Sequence, residues 1–247
     1  MNYKEDITDI LDGIVNTISQ EDQLVLLSAD IVNGVAVCHV EDEKWCQEDF
    51  FLNVIGRSEE DMNPHSIQVV ITDVWSGHIR IKGVKETLTE VTAIYIYHLY
   101  FFHGTPIATG NELLKIQDAS DKTPMVWMYE NFTERFNEDD LLRLERESEL
   151  KLFFLTQANH SQWVTQVAYE KAIRPMRKLM ELFVQAIKND SRFDTLDLSY
   201  NVQNYAKFGV YINEKGMPTN KFADNLSGVE MSFTLKKYKP EYCCGAC

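Results

Sequence analysis

Cysteine and histidine are the side chains through which this chain could do thiol, metal or proton-transfer chemistry. Three of the five cysteines, Cys243, Cys244 and Cys247, crowd the last five residues in EYCCGAC. Cys244 and Cys247 stand in CxxC spacing and Cys243 and Cys247 in CxxxC, spacings that thiolate metal sites use. A closed zinc site takes four ligands, however, and the chain has no second CxxC. Cys38, Cys46 and His39 complete a set only if the fold brings the two ends together. A redox-active pair and an exposed tail are the other readings, and the tail is the simplest. The histidines, His39, His65, His78, His98, His103 and His160, are scattered and form neither HExxH nor HxH. His98, between Tyr97 and Leu99, reads as structural, whereas His103 beside Gly104 has the most specialised surroundings. Asp139 and Asp140 lie in a charge run that reads as a solvated face. Glycine loops of the phosphate-cradling types and the GxSxG elbow are absent. No catalytic residue, metal or cofactor is therefore expected, and the chain reads as a non-enzyme.

The elements that would have to position such residues are clearest between Glu149 and Asp190. Leu150, Leu152, Phe153, Phe154 and Leu155 form a short apolar run typical of a core strand. Asn159 and Ser161 are both candidates to cap the N-terminus of a long helix. From Val164 onward the apolar residues Val167, Ala168, Ala172, Ile173, Met176, Leu179, Met180, Phe183 and Ile187 recur in steps of three and four. That places them on one stripe of a helix over 161–189, with Glu170, Lys171, Arg174, Lys178, Glu181 and Gln185 on the wet side. Met176 and Met180 at this spacing are core rather than a binding face. Pro175 removes a backbone donor, so a kink or break is expected near Ala172–Arg174, with two helices sharing a face as the cautious form.

Ahead of this stretch, Ile7, Ile10, Leu11, Ile14, Val15 and Ile18 predict a first helix within 1–21. The period then changes. Segments 23–29, 34–41, 66–75, 78–84 and 93–102 are β-branched and aromatic, with hairpin turns at Asn33-Gly34 and Trp75–His78. Together they predict a β-rich insert over 22–103 with a polar excursion at Gly56–His65. Residues 103–124 read as a loop with a short helix NELLKI capped by Thr109 or Asn111, and MVWMYE as a strand. FTERFNEDDLLRLERESE, dense in charge, reads as an exposed loop or short helix. Beyond the long helix three more strands are expected, with MPTNKFADNL as a loop. The fold class is α+β: a sheet carrying its long helix on one face, plus the β-rich insert.

Composition bounds the function. With a net charge of −14, the chain lacks the clustered lysine and arginine that a general nucleic-acid surface needs. It holds no run of about 18 apolar residues that would span a membrane, and its first residues lack a secretion signal's basic and apolar pattern. Sparse cysteines fit a reducing compartment.

Several segments together resemble proteins of tailed bacteriophages and prophages of Bacteroidetes, including crAss-like phages. They are FFHGTPIATGNELLKI, DKTPMVWMYENFTERFN, LKLFFLTQANHSQW, AIRPMRKLMELFVQAIKND, and NYAKFGVYINEKG followed by NKFADNLSGVEMSFTL. The resemblance covers roughly residues 101–239, and the β-rich part matches more loosely. The second half is similar to tail-terminator and neck-ring proteins. It implies a terminator-like α+β domain over 104–242 and a Cys-rich tail at 243–247. It further implies a ring of identical subunits in the virion neck or tail, assembled in the host cytoplasm. Portal or adaptor and tail proteins would be its neighbours, and DNA would cross the lumen without specific binding. An acidic lumen would repel phosphates, and loops at Gly56–His65, His103–Gly110 and Lys215–Asn225 would reach adjacent subunits. Two other classes remain: an acidic inhibitor whose Asp and Glu around 134–149 cover a basic partner, and an unfamiliar enzyme using His103 or the C-terminal thiols. Replacing Cys243, Cys244 and Cys247 together with serine should leave assembly unchanged, as read by size-exclusion chromatography; loss of assembly would reinstate a thiol role.

Overall fold

The structure, a computed structural model, describes residues 6–21, 23–44, 46, 51–58, 65–82, 88–96, 99–116, 123–130, 132–140, 143–212, 214, 217–220, 222 and 225–238. Among these the chain is α+β and strand-rich: two curled sheets and three helices. Helix α1 (Ile7–Glu21) buries the stripe formed by Ile7, Ile10, Leu11, Ile14, Val15 and Ile18, and packs on the long helix and on β8 (Tyr100–Gly104).

Seven strands build the first sheet: β1 (Gln23–Leu24), β2 (Leu26–Val32), β3 (Val35–Val40), β4 (Phe51–Ser58), β5 (His65–Trp75), β6 (His78–Lys82) and β7 (Leu88–Ile96). Every pairing is antiparallel, in the order β1-β7-β4-β5-β6-β3-β2. The two ends of this order are neighbours in the chain, separated only by Val25. One strand thus lends Gln23 and Leu24 to β7 and its remaining residues to β3, which curls the sheet into a half-barrel. The β2–β3 turn is made by Asn33 and Gly34 with φ of 51° and 73°, the two positive values that a tight hairpin of right-twisted strands requires. The apolar run 93–102, expected as one strand, is divided: β7 ends at Ile96 and β8 joins the second sheet.

That second sheet contains β8, β9 (Met125–Tyr129), β10 (Thr133–Asp140), β11 (Arg143–Gln157), β12 (Phe193–Asp194), β13 (Tyr200–Phe208) and, after the small β14–β15 hairpin (Val210–Ile212 and Pro218–Asn220), β16 (Leu226–Tyr238). Its order is β12-β16-β11-β9-β8, with β10 added to β11 and β13 to β16; only β8 and β9 run parallel. The charged segment FTERFNEDDLLRLERESE, expected as a loop or short helix, is instead β10 and the first half of β11. Side-chain ion pairs replace apolar alternation there: Arg135 reaches Glu149 at 3.0 Å, Lys236 reaches Glu147 at 3.2 Å, and Arg146 holds Glu134. MPTNKFADNL is also not wholly loop, since Pro218–Asn220 pairs with β14.

Helix α2 (Pro106–Lys115) starts earlier than expected: Thr105, rather than Thr109 or Asn111, caps it by accepting from Ala108 N at 3.3 Å. The long helix α3 is one continuous 25-residue element with an α turn at Thr165–Ala168, a π segment at Tyr169–Ile173 and an α segment at Arg174–Asn189. The irregularity expected from Pro175 is therefore a widened turn and not a break. A proline ring presses on the carbonyl four residues earlier, here that of Lys171, and the π turn opens around that position. Asn159 and Ser161 do not cap this helix. They close the turn before it, with Asn159 Oδ1 accepting from Ser161 Oγ at 2.7 Å and from Gln162 N at 3.2 Å.

The strand β11 carries two cores because its side chains alternate between faces. Leu150, Leu152 and Phe154 join Val229, Met231, Phe233 and Leu235 of β16 under Met176, Leu179, Met180, Phe183 and Ile187 of α3, and this core continues into the half-barrel. Phe153 and Leu155 face the other way, into a second cluster with Met125, Trp127, Phe208, Phe222, Leu226 and Leu113 of α2. At Gly228 a Cβ would collide with the Phe154 carbonyl and lie 3.0 Å from Leu155 Cα, so only glycine lets β16 pass this close to β11. Among the described residues no helix is long and apolar enough to cross a membrane. Phe154 is fully buried and meets Phe183 edge-on at 5.5 Å. Phe154→Ala should cost about 3–5 kcal/mol in urea titration; an unchanged midpoint would refute this core.

Candidate functional site

The residues singled out by their chemistry are dispersed. Cys243, Cys244, Cys247, His98 and the side chains of His65, Asp139 and Asp140 lie outside the described residues. Cys38 and Cys46 are buried, and burial pushes the Cys38 thiol up to about 12, far from a ready thiolate. His103 Nδ1 sits 2.7 Å from Glu130 Oε1 in a half-exposed pair at the end of β8. His160 Nε2 donates to the Leu226 carbonyl at 3.1 Å, and burial outweighs that bond to lower its pKa. His39 and His78 meet across β3 and β6 with centroids 4.1 Å apart, and Trp75 stacks on His78 with Arg80 over its ring. Among the described residues no group of three or more His, Cys, Asp or Glu side chains could hold a metal.

The most distinctive surface is β13 at the margin of the second sheet. Its inner edge pairs with β16 from Tyr200↔Phe233 to Phe208↔Leu226, with an irregularity after Tyr205. No described strand pairs with its outer edge. Asn201, Gln203, Asn204, Ala206 and Lys207 are exposed, and the nine-residue strand holds one charged residue and no proline. Natural edge strands are normally kept apart by charges, proline or shortness. This one carries only Lys207 and the irregularity near its end as guards, and along the rest of its length its backbone N–H and C=O groups form a ladder for another strand.

Contacts on both faces support β13. On one face, the π segment of α3 packs on the strand and Arg177 Nε donates to Asn204 Oδ1 at 3.0 Å. On the other, Glu230 of β16 is nearly buried and accepts from Tyr205 OH at 2.8 Å, from Ser232 Oγ at 3.0 Å and from Lys151 Nζ at 2.8 Å. Burial alone would raise the Glu230 pKa; the bonds from Lys151, Tyr205 and Ser232 outweigh it and hold the carboxyl below its ordinary value. The same burial, together with the bond to Glu230, pushes the Tyr205 phenol up to about 12. Beside this cluster Trp127 stacks on Phe153 at 4.8 Å, Phe153 meets Phe208 at 5.0 Å, and Phe208 stacks on Phe222 at 5.4 Å. At Gly209, with φ of +76°, a Cβ would strike the Phe222 ring, so the chain leaves β13 by a route that only glycine takes easily.

A second charged locus lies where the half-barrel meets α3. Lys178 Nζ bonds Asp42 Oδ1 at 2.8 Å and Glu43 Oε1 at 3.0 Å, while Glu43 Oε2 accepts from Gly77 N at 3.3 Å. Burial opposes every one of these charges, yet the mutual bonds prevail, lowering the pKa of both carboxyls and raising that of the lysine. The clasp borders a cleft of about 370 Å³ lined by Trp75, Lys171, Arg174 and Pro175 among others.

Sequence reasoning missed Glu230, Lys151 and Tyr205 as partners, being three residues far apart in the chain. A signal was present: in GVEMSF a glutamate stands among residues that alternate into a core, so its strand face needed another occupant. Neither the family models, nor the curated proteins, nor the solved structures compared with the chain include a match to it.

The Glu230 cluster makes stability depend on pH. A carboxyl lowered by folding stabilises fully above the ordinary glutamate value of 4.5 and loses that contribution as pH falls through its lower folded value. Urea unfolding from pH 7 to pH 3 should therefore show a smaller acid loss for Glu230→Gln than for the native chain. Parallel profiles would refute the assignment.

Proposed function

We propose that the chain is a structural protein of a tailed-phage virion. In this reading it forms a ring of identical subunits in the neck or tail that connects portal or adaptor to tail and leaves a channel for DNA. The single observation that carries the reading is β13: a long, almost uncharged edge strand, bonded from both faces, whose outer edge no described strand covers. A subunit that works by assembling needs such an edge, and a protein that works alone gains only an aggregation hazard from it. The net charge of −14 is compatible with a lumen that repels DNA phosphates. The second sheet with α3 on one face is the part that we read as terminator-like.

The inhibitor alternative receives less support. It needs the carboxylates around 134–149 as an open acidic surface, but Glu134, Glu147 and Glu149 are each engaged by a cation of the same chain.

Quantitative mass spectrometry of purified virions tests the proposal. A fixed, ring-like ratio to the portal protein is the expected result. Absence from clean particles despite expression in infected cells would overturn it.

A further inference from the structure

Resting on that assembly reading, we propose that the strand which covers β13 is β10 of a second copy of this chain, so that the second sheet runs on from one subunit to the next. Four features of the fold point to this occupant.

The first is position. β13 lies outside β16 and β10 lies outside β11, on opposite sides of the central β16–β11 pair, and no described strand covers the outer edge of either. A contact between two different edges is head-to-tail, the kind that propagates and closes into rings.

The second is direction. β13 is antiparallel to β16, β16 to β11, and β11 to β10. Hence β13 and β10 point in opposite senses within one subunit. A neighbour placed in the same orientation presents its β10 antiparallel to β13, the pairing with the better ladder geometry, without any flip. The lengths also match, at nine and eight residues.

The third is charge. β10 reads TERFNEDD; Glu134 is engaged by Arg146 and Arg135 by Glu149 within the chain, and Glu138, Asp139 and Asp140 follow with no basic residue among them. β13 reads YNVQNYAKF, with Lys207 and no carboxylate. The acidic strand is discouraged from pairing with another copy of itself and is attracted to the strand that carries the cation. This complementarity selects β10 as occupant over a second β13, which would offer no charge contrast and would leave β10 uncovered.

The fourth is stagger. β10 lies along residues 143–149 of β11, whereas β13 lies along residues 226–233 of β16, which face the other end of β11. The two edges are offset along the strand direction, so joining them tilts the strands against the assembly axis. Closed sheets have this geometry: strand tilt and register offset are coupled when a sheet returns on itself.

Charge exchange tests the pairing in the full chain. Lys207→Glu places a carboxylate against the acidic strand, and its oligomer should dissociate at a concentration at least ~10-fold higher than the native one, read by size-exclusion chromatography with light scattering. Lys207 is exposed, so circular dichroism and melting should be unchanged. Combining Lys207→Glu with Asp139→Lys should restore assembly, and hydrogen exchange should show the outer-edge amides of β13, those not bonded to β16, protected in the oligomer and open in the Lys207→Glu monomer. An unchanged Lys207→Glu oligomer, or a double variant that stays monomeric while folded, would overturn the β10 assignment and leave the virion reading standing. A stable two-subunit species with β13 protected and β10 open would overturn it in favour of self-pairing. A native chain that is monomeric at every concentration and missing from virions would remove both.

Discussion

The architecture depends on the ladder between β11 and β16. All thirteen residues of β16 pair with β11, from Tyr238↔Glu145 to Leu226↔Gln157. The remaining strands of the second sheet are shorter, and most attach to one of these two: β10 and β9 divide the free edge of β11, and β12 and β13 divide that of β16. The ladder also decides what the faces must contain. Because its middle is covered on both sides, by α3 and by the cluster around Trp127 and α2, successive residues of β11 must be apolar. The close approach at Gly228 is part of the same constraint, since the two backbones could not sit so near with a side chain between them.

Electrostatics joins parts that the hydrophobic core leaves at the margin. The chain is strongly acidic, but the acids nearest its structural joints are not idle. Lys178 gathers Asp42 and Glu43 from the loop after β3 onto the long helix, Arg146 links Glu134 to Asp6 at the start of α1, and Lys151 with Tyr205 fixes Glu230 under β13. Each of these cations serves two carboxylates or shares one with a hydroxyl. The arrangement ties the half-barrel, the first helix and the outer strand to the same central sheet, and the surplus of acid is left for surfaces that do not bear on the fold.

Much of this was legible in the sequence, and the misses have physical causes. The unbroken run Leu152–Leu155 signals a strand with two buried faces, and the three-and-four spacing of Met176 to Ile187 signals the helix that covers one of them. Asn33-Gly34 announces its hairpin because few other pairs accept two positive φ values. The first half of β11 was unreadable, since its sheet position is imposed by β16 and supported by ion pairs, so no apolar alternation marks it. The caps were misplaced because Asn159 is spent on the preceding turn and Thr109 lies inside α2, and a local preference does not reveal which of several acceptors the fold selects. The outer-edge site was invisible for a different reason. Lys151, Tyr205, Glu230 and the free side of β13 become neighbours only once the ladder exists.

The π segment at Tyr169–Ile173 has a genetic reading. A π turn holds one more residue than an α turn, so this stretch is one residue longer than a regular helix making the same turns. Each residue of an α-helix turns the face by about 100°. The extra residue therefore sets the phase between Thr165–Ala168 and the segment after Pro175, which packs on the sheet. Removing one residue here would swing Ala168 away from its buried position while the distal face kept its own, and would bring the Pro175 ring back against the preceding turn. At this point in the gene, length is a dial: an in-frame change of one residue acts as a rotation of one part of the helix against the other.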